Sequence, residues 1–345
     1  MNRTSTQLDG QSLITPELIA REFEHQHQPL HQKIAVGKAE LALALEIARQ
    51  QFESGVEPSL VIERLSKQLH LTRRKFFPGA WPELVDVARS HPVAAVFLED
   101  PFTRWSFDKP RGYSGDAHLL DFIYRHPSVS GSLEQASARG RSLYEFTSNA
   151  SSSVAVRERR DILTRQVDEI TASRGSVAEV LTIAAGHLRE AEKSNALNGG
   201  TIKRWVALDQ DPLSVASMHA EYGGSCVQAM GGSVLEILTG RKKLGQFDLI
   251  YAAGLYDYLS FSVAVKLTRH CLGMLKPGGV FLFANFSDEV GVDGYMETFM
   301  NWSLLLRPES EMWKISNAAN DMSKFDGAVW SGANRNVAYA SLRRL

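Results

Sequence analysis

Val180-Leu181-Thr182-Ile183-Ala184-Ala185-Gly186-His187-Leu188-Arg189-Glu190 begins as an apolar run and then turns abruptly small and polar. The full run, Val177 to Ala184, has the length of a strand. Similar runs follow at Arg204 to Leu208, Ser225 to Met230, Phe247 to Ala252 and Gly279 to Phe286, and the intervening Leu213–Tyr222 and Val263–Leu275 read as helices. Strands alternating with helices at this rhythm mean βαβ units and a parallel sheet. At the end of the chain, Ala328-Val329-Trp330 and Val337 to Ser341 flank Ala333-Asn334-Arg335-Asn336, which predicts an antiparallel hairpin with a polar turn. The expected fold class is α/β, doubly wound.

Such a sheet takes its ligand beyond the carboxyl ends of the strands, at the switch point of strand order. Small residues at Ala184, Ala185 and Gly186 let a backbone approach a ligand closely, and a helix expected after Glu190 would add a favourable dipole. The second strand ends at Asp209, 23 residues past Gly186, the spacing at which an acidic residue receives ribose hydroxyls. The third ends near Gly231-Gly232-Ser233-Val234, where an adenine could lie against Val234 with Ser233 on its edge. A dinucleotide would require Gly-x-Gly-x-x-Gly at the first turn. Gly186 alone favours a ligand without phosphates.

The rest of the chain bounds the function. At 345 residues, two structural units are expected. A formal net charge of -1 and the lack of a basic stripe argue against nucleic acid, and Arg157-Glu158-Arg159-Arg160 and Arg241-Lys242-Lys243 read as solvated faces. Two cysteines, Cys226 and Cys271, argue against a disulfide framework and suit a reducing, cytoplasmic setting. No apolar run is long enough to span a bilayer. Residues 1–15 are expected to be a disordered tail, 16–153 a helical lid or substrate domain, and 154–345 the ligand-binding domain. In the helical part, Leu41, Leu45, Ala48 and Phe52 share one face, and Val61, Leu65 and Leu69 another. His25-x-His27-x-x-x-His31 lies in a polar, Gln-rich segment and is read as solvated, so no metal is expected.

Val180 to Gly186, Ala207-Leu208-Asp209-Gln210-Asp211-Pro212, Phe247-Asp248-Leu249-Ile250-Tyr251 and Leu275-Lys276-Pro277-Gly278-Gly279 together resemble four successive motifs of class I S-adenosylmethionine-dependent methyltransferases. The resemblance covers about Ser176 to Leu345, and the terminal hairpin is similar to the reversed last strands of that family. It implies a seven-stranded, mostly parallel sheet with S-adenosyl-L-methionine as cofactor. Ala184, Gly186 and Ala253 would face the methionine part, Asp209 the ribose, and Gln210, Ser233 and Val234 the adenine. Thr182 stands in place of the usual acidic residue of the first motif, and Ala184 and His187-Leu188 in place of its other glycines.

Lys109-Pro110-Arg111-Gly112-Tyr113-Ser114-Gly115-Asp116 is a dense polar stretch outside the sheet. It reads either as a shaped loop converging on a ligand or as a turn entering the Ala117–Tyr124 helix with Asp116 as its N-cap. With the methyltransferase half, it resembles a bacterial stand-alone group that includes makers of hydroxy-fatty-acid methyl ester signals. That resemblance would make Arg111 and Tyr113 lid residues over the cofactor. Loops at the carboxyl edge nominate Tyr256, Asn285, Tyr295 and Arg307 for the acceptor, with Asp257, Tyr258 and Asp116 as candidate bases. The expected function is methyl transfer to a small molecule, most simply to an oxygen of an acid or alcohol. An amino-acid-like acceptor methylated on nitrogen or sulfur, a catalytically silent cofactor-binding module, and self-association as a homodimer stay open.

Overall fold

The computed structural model describes residues 30–175, 177–319 and 322–345. The expected tail, the start of the helical region, and His25 and His27 lie outside them. Seven strands form one sheet: β1 (Ala178–Ile183), β2 (Ile202–Asp209), β3 (Val227–Gly231), β4 (Phe247–Ala253), β5 (Leu275–Phe286), β6 (Phe325–Ser331) and β7 (Val337–Arg344). Their order is β3-β2-β1-β4-β5-β7-β6. The first five strands are parallel, and β7 runs antiparallel to both β5 and β6. From β1 the chain winds outward through β2 and β3, then returns to β4 on the other side. The switch point therefore lies between β1 and β4, which pair through Val180 with Leu249 and Thr182 with Tyr251.

Alternation along the strands divides the core into two layers. Val180 of β1 and Val280, Leu282 and Ala284 of β5 face one side. Leu181, Ile183, Phe281 and Phe283 face the other, where the helices Phe261–Gly273 and Glu309–Ala319 pack through Leu267, Cys271, Met312 and Ile315. One expected element differs. After β1 there is no extended helix but a 3₁₀ turn, Ala191–Lys193, and a four-residue helix, Asn195–Asn198. Glu190 points into the interior rather than opening a helix, and a helix this short has little dipole to offer a ligand.

The first layer is covered by the N-terminal half. The helices Leu30–Glu53 and Pro58–Phe76 bury Leu41, Leu45, Ala48, Phe52, Val61, Leu65 and Leu69, the expected faces. These join the same apolar cluster as Val180, Tyr251 and Tyr339 of the sheet, so both halves share a core. A buried ion-pair clamp reinforces it: Arg73 donates to Asp293 and Glu297, each at 2.8 Å, across more than 200 residues of sequence. Gly294 lies so close to the Leu69 backbone that a Cβ there would stand 2.5 Å from its carbonyl carbon. Position 153, the expected boundary, falls in the first turn of the helix Ser151–Arg174.

Candidate functional site

At the carboxyl ends of β1, β2 and β4, around the switch point, the structure encloses a cavity of about 540 Å³. Ala184, Gly186, Asp209, Gln210, Val234 and Ala253 line it, as do Tyr113, Asp257 and Tyr258. The turn after β1 is tight: Ala184 and Gly186 both have positive φ, at 57°. A Cβ at Gly186 would also meet the Ala117 methyl from the N-terminal half at a tight 3.2 Å. Asp209 ends β2, and its two oxygens accept from the backbone amides of Gly186 at 2.7 Å and Asp211 at 2.8 Å. Burial raises its pKa, opposed by those amides. Each oxygen retains a second lone pair for a ligand hydroxyl.

The polar loop before Ala117 closes over this edge. Tyr113 lines the cavity, whereas Arg111 does not. Both reach Asp211, the N-cap of the helix Pro212–Tyr222: Arg111 Nη1 at 2.7 Å and the Tyr113 hydroxyl at 2.9 Å. His187, a lining residue, is held by Asp121 at 2.9 Å, and Asp121 also accepts from Arg189 Nε at 2.8 Å. Gly115 presses its backbone on Tyr258, whose hydroxyl accepts from Trp302 Nε1 at 2.8 Å. Asp257 is buried beside it and accepts from the Phe286 amide at 2.6 Å. Burial pushes its carboxyl up to about 6, with Arg159 and that amide opposing.

Several nominated residues are placed elsewhere. Asp116 caps the Ala117–Tyr124 helix and accepts from Trp105 Nε1, so its carboxylate is engaged away from the cavity wall. Ser233 makes a capping box with Glu236, and its neighbours Gly232 and Val234 do the lining. Tyr256 is bonded to Thr268 in the core, and Tyr295 to Thr103. Arg307 donates to the Tyr256 carbonyl and to Asn285 Oδ1, each at 2.6 Å, tying the loop after β4 to β5. These last four are buried and absent from the cavity wall. Their side chains are spent on contacts within the core and do not line this cavity.

Arg159 and Glu190 are among the lining residues that the sequence did not nominate. Arg159, expected on a solvated face, is 3% exposed, and its Nη1 is buried with no hydrogen-bond partner. No carboxylate among the described residues stands within 4.0 Å of it. Its signal was helical phase. It lies three residues after Val156 and four before Leu163, on the buried stripe of the helix Ser151–Arg174. Glu190 is also buried, and one of its oxygens accepts from the Tyr251 hydroxyl at 2.6 Å. Among the described residues, no cluster of His, Cys, Asp or Glu suits a metal ion, and no helix is long and apolar enough to cross a membrane.

No family model matches the chain, and no curated protein does. Solved structures do. A possible exported protein from Bordetella parapertussis superposes with a TM-score of 0.57 at 17% identity, over 83% of this chain and 95% of that one. The pyocyanin biosynthetic protein PhzM follows at 0.43 and 14%, over 96% and 100%. The N-methyltransferase NodS from Bradyrhizobium japonicum WM9, in complex with S-adenosyl-L-homocysteine, stands at 0.39 and 19%, over 65% and 99%. At these identities the Bordetella likeness establishes a shared fold: the doubly wound seven-stranded sheet with helices on both faces.

Proposed function

We propose that the chain binds S-adenosyl-L-methionine in the switch-point cavity and methylates a small acceptor, on an oxygen of an acid or hydroxyl group. The observation that carries this reading is that Asp209, Gln210, Ala184–Gly186, the buried Arg159 and the buried Asp257 all line one cavity. The residues suit the cofactor. Asp209 offers lone pairs to vicinal hydroxyls, Gly232 and Val234 offer an apolar face to a flat base, and the orphaned Nη1 of Arg159 seeks an anion.

When bound, the cofactor supplies an electrophilic methyl group on a sulfonium, so little covalent work falls to the protein. Its tasks are to align the acceptor and exclude water. Tyr113, Ser114 and Gly115 line the cavity, and Gly115 packs against Tyr258, which with Phe286 and Trp302 adds aromatic lining. Asp257 is the general base for an acceptor hydroxyl. A carboxyl lifted towards neutrality takes a proton more readily than an ordinary one, yet is still ionised at pH 7. Asp257 would take the proton that the acceptor oxygen loses on methylation, and the sulfonium, giving up its methyl as the carbon–sulfur bond breaks, would leave as a neutral thioether. Calorimetric titration with S-adenosyl-L-methionine tests the cofactor, and transfer of a labelled methyl group into a small-molecule extract tests catalysis. Binding without transfer to any extract would leave a silent binding module.

A further inference from the structure

Tyr258 stands on a turn that is pinned on both sides. Arg307 donates to the carbonyls of Tyr256 and Leu259, and the Leu305 amide donates to the carbonyl of Asp257 at 2.8 Å. Between these anchors the Tyr258 ring is 40% exposed and lines the cavity, whereas Tyr256, two residues earlier, is 0% exposed and bonded to Thr268. The Tyr258 hydroxyl accepts from Trp302 Nε1 at 2.8 Å. An indole N–H can only donate, so this bond uses a lone pair of the phenol oxygen and leaves its proton unspent. Among the described residues that proton has no acceptor. Gly115, at φ 73°, lies so close that a Cβ there would overlap the phenol oxygen, so the backbone of the N-terminal loop confines the hydroxyl. Burial, with the charges of Asp257 and Asp116, pushes the phenol above its ordinary value against the opposing pull of Trp302. Tyr258 is therefore a donor and not a base.

We infer that the Tyr258 hydroxyl donates to the methyl-accepting atom and restricts the site to oxygen. This rests on the proposed methyl transfer and adds the residue that decides which element is methylated. A hydroxyl oxygen carries two lone pairs and a proton. One lone pair accepts from Tyr258, the other forms the bond to the methyl carbon, and the proton passes to Asp257, which lines the same cavity. The electron pair of the breaking carbon–sulfur bond stays on sulfur. A carboxylate oxygen meets the same donor with lone pairs to spare. A neutral amine has a single lone pair and cannot accept from Tyr258 and attack at once, and sulfur is a weak acceptor. Either would leave the phenol proton unpaired in a site closed by Gly115 and Trp302.

The test uses the full chain, S-adenosyl-L-methionine carrying a labelled methyl group, and a small-molecule extract. The labelled products are sorted into methyl esters and ethers, methylamines, and thioethers. The wild type should place at least tenfold more label on oxygen than on nitrogen and sulfur together. Tyr258→Phe retains the ring and removes the proton. Its rate onto oxygen should fall at least tenfold and its ratio of oxygen to nitrogen label should fall with it, while affinity for S-adenosyl-L-homocysteine by calorimetry stays within about twofold. Tyr258→Leu serves as a second variant should the phenylalanine form be unstable. Label chiefly on nitrogen or sulfur in the wild type overturns the inference and leaves methyl transfer standing. An unchanged ratio in the Tyr258 variants also overturns it, since a tyrosine that only props the loop would slow all acceptors alike. If the wild type binds S-adenosyl-L-homocysteine but transfers no label, the proposed methyl transfer fails and the inference falls with it.

Discussion

Arg111 and Asp211 meet at 2.7 Å across a hundred residues of sequence, and the Tyr113 hydroxyl shares the same carboxylate oxygen. That carboxylate also caps the helix Pro212–Tyr222 through its other oxygen, which accepts from Leu213. One residue thus latches the N-terminal loop to the rim of β2. Asp211→Asn retains the cap and removes the charge from the latch. We expect Tm to fall by a few degrees, since a hydrogen bond to a charged group is worth about 1.5–3 kcal/mol. Turnover should fall at least tenfold, because misplacement of about 1 Å in such a site can cost on the order of a hundredfold. Arg111→Ala and Tyr113→Ala should behave likewise. If all three melt early but turn over normally at low temperature, the loop is only a structural turn.

Asp209 has two tasks. Its carboxylate ties the ends of β1 and β2 through the Gly186 and Asp211 amides, and it faces the cavity. Asp209→Ala should therefore lower Tm even without ligand, and Asp209→Asn less so, since one amide oxygen can still accept. Both should weaken binding of S-adenosyl-L-methionine at least tenfold by calorimetry, because charge-assisted bonds to two hydroxyls are worth roughly 1.5–3 kcal/mol each. Wild-type affinity in either variant would remove Asp209 from the ligand site.

The sheet was legible because its information is local. Apolar runs such as Val206–Leu208 and Phe281–Phe283 lie between helices whose ends are marked by Pro212 and Gly273, and all five parallel strands emerge within a few residues of their expected bounds. The positions of Gly186 and Asp209 were legible for the same reason, since one lies in the turn after β1 and the other ends β2. Arg159 and Glu190 were not, because their burial depends on which remote surface covers them. A charge among Arg157, Glu158 and Arg160 looks solvated until the helix phase places Arg159 alone on the buried stripe. Likewise Tyr256, Tyr295 and Arg307 follow the ends of β4 and β5 in sequence, but tertiary packing turns them inward.

Asp257 gives a prediction with a sign. Its pKa is about 6 in the fold against an ordinary value near 3.8, so the native state binds its proton more tightly than the unfolded chain. That contribution to stability is present below about pH 4 and is lost as pH rises through 6, a change on the order of 3 kcal/mol. Asp100, likewise buried and raised to about 6, adds a parallel loss. Asp257→Asn should remove its own share, so the fall in Tm between pH 4 and 7 becomes shallower while the Asp100 share persists. As a base Asp257 acts only when ionised, so wild-type turnover should rise through about pH 6. Asp257→Asn should lower turnover on the order of a hundredfold. Unchanged turnover in the asparagine variant would show that the acceptor needs no base there.

Ala184 holds φ at 57°, a backbone conformation that costs an L side chain about 1–2 kcal/mol, and the residue lines the cavity. A glycine would relieve that strain but would also lose more chain entropy on folding, about 0.5–1 kcal/mol. The two terms oppose, with relief the larger, so Ala184→Gly should stabilise the chain slightly, by under about 1 kcal/mol. Ala184→Val sharpens the contrast. A β-branched residue tolerates positive φ least, and its extra methyls would project into the cavity. We expect Ala184→Val to lower Tm by several degrees and to weaken binding of S-adenosyl-L-homocysteine at least tenfold. Calorimetry and thermal melting on both variants decide the matter. If valine is tolerated with full affinity, the turn after β1 does not approach the ligand, and the methionine end must lie farther along the wall.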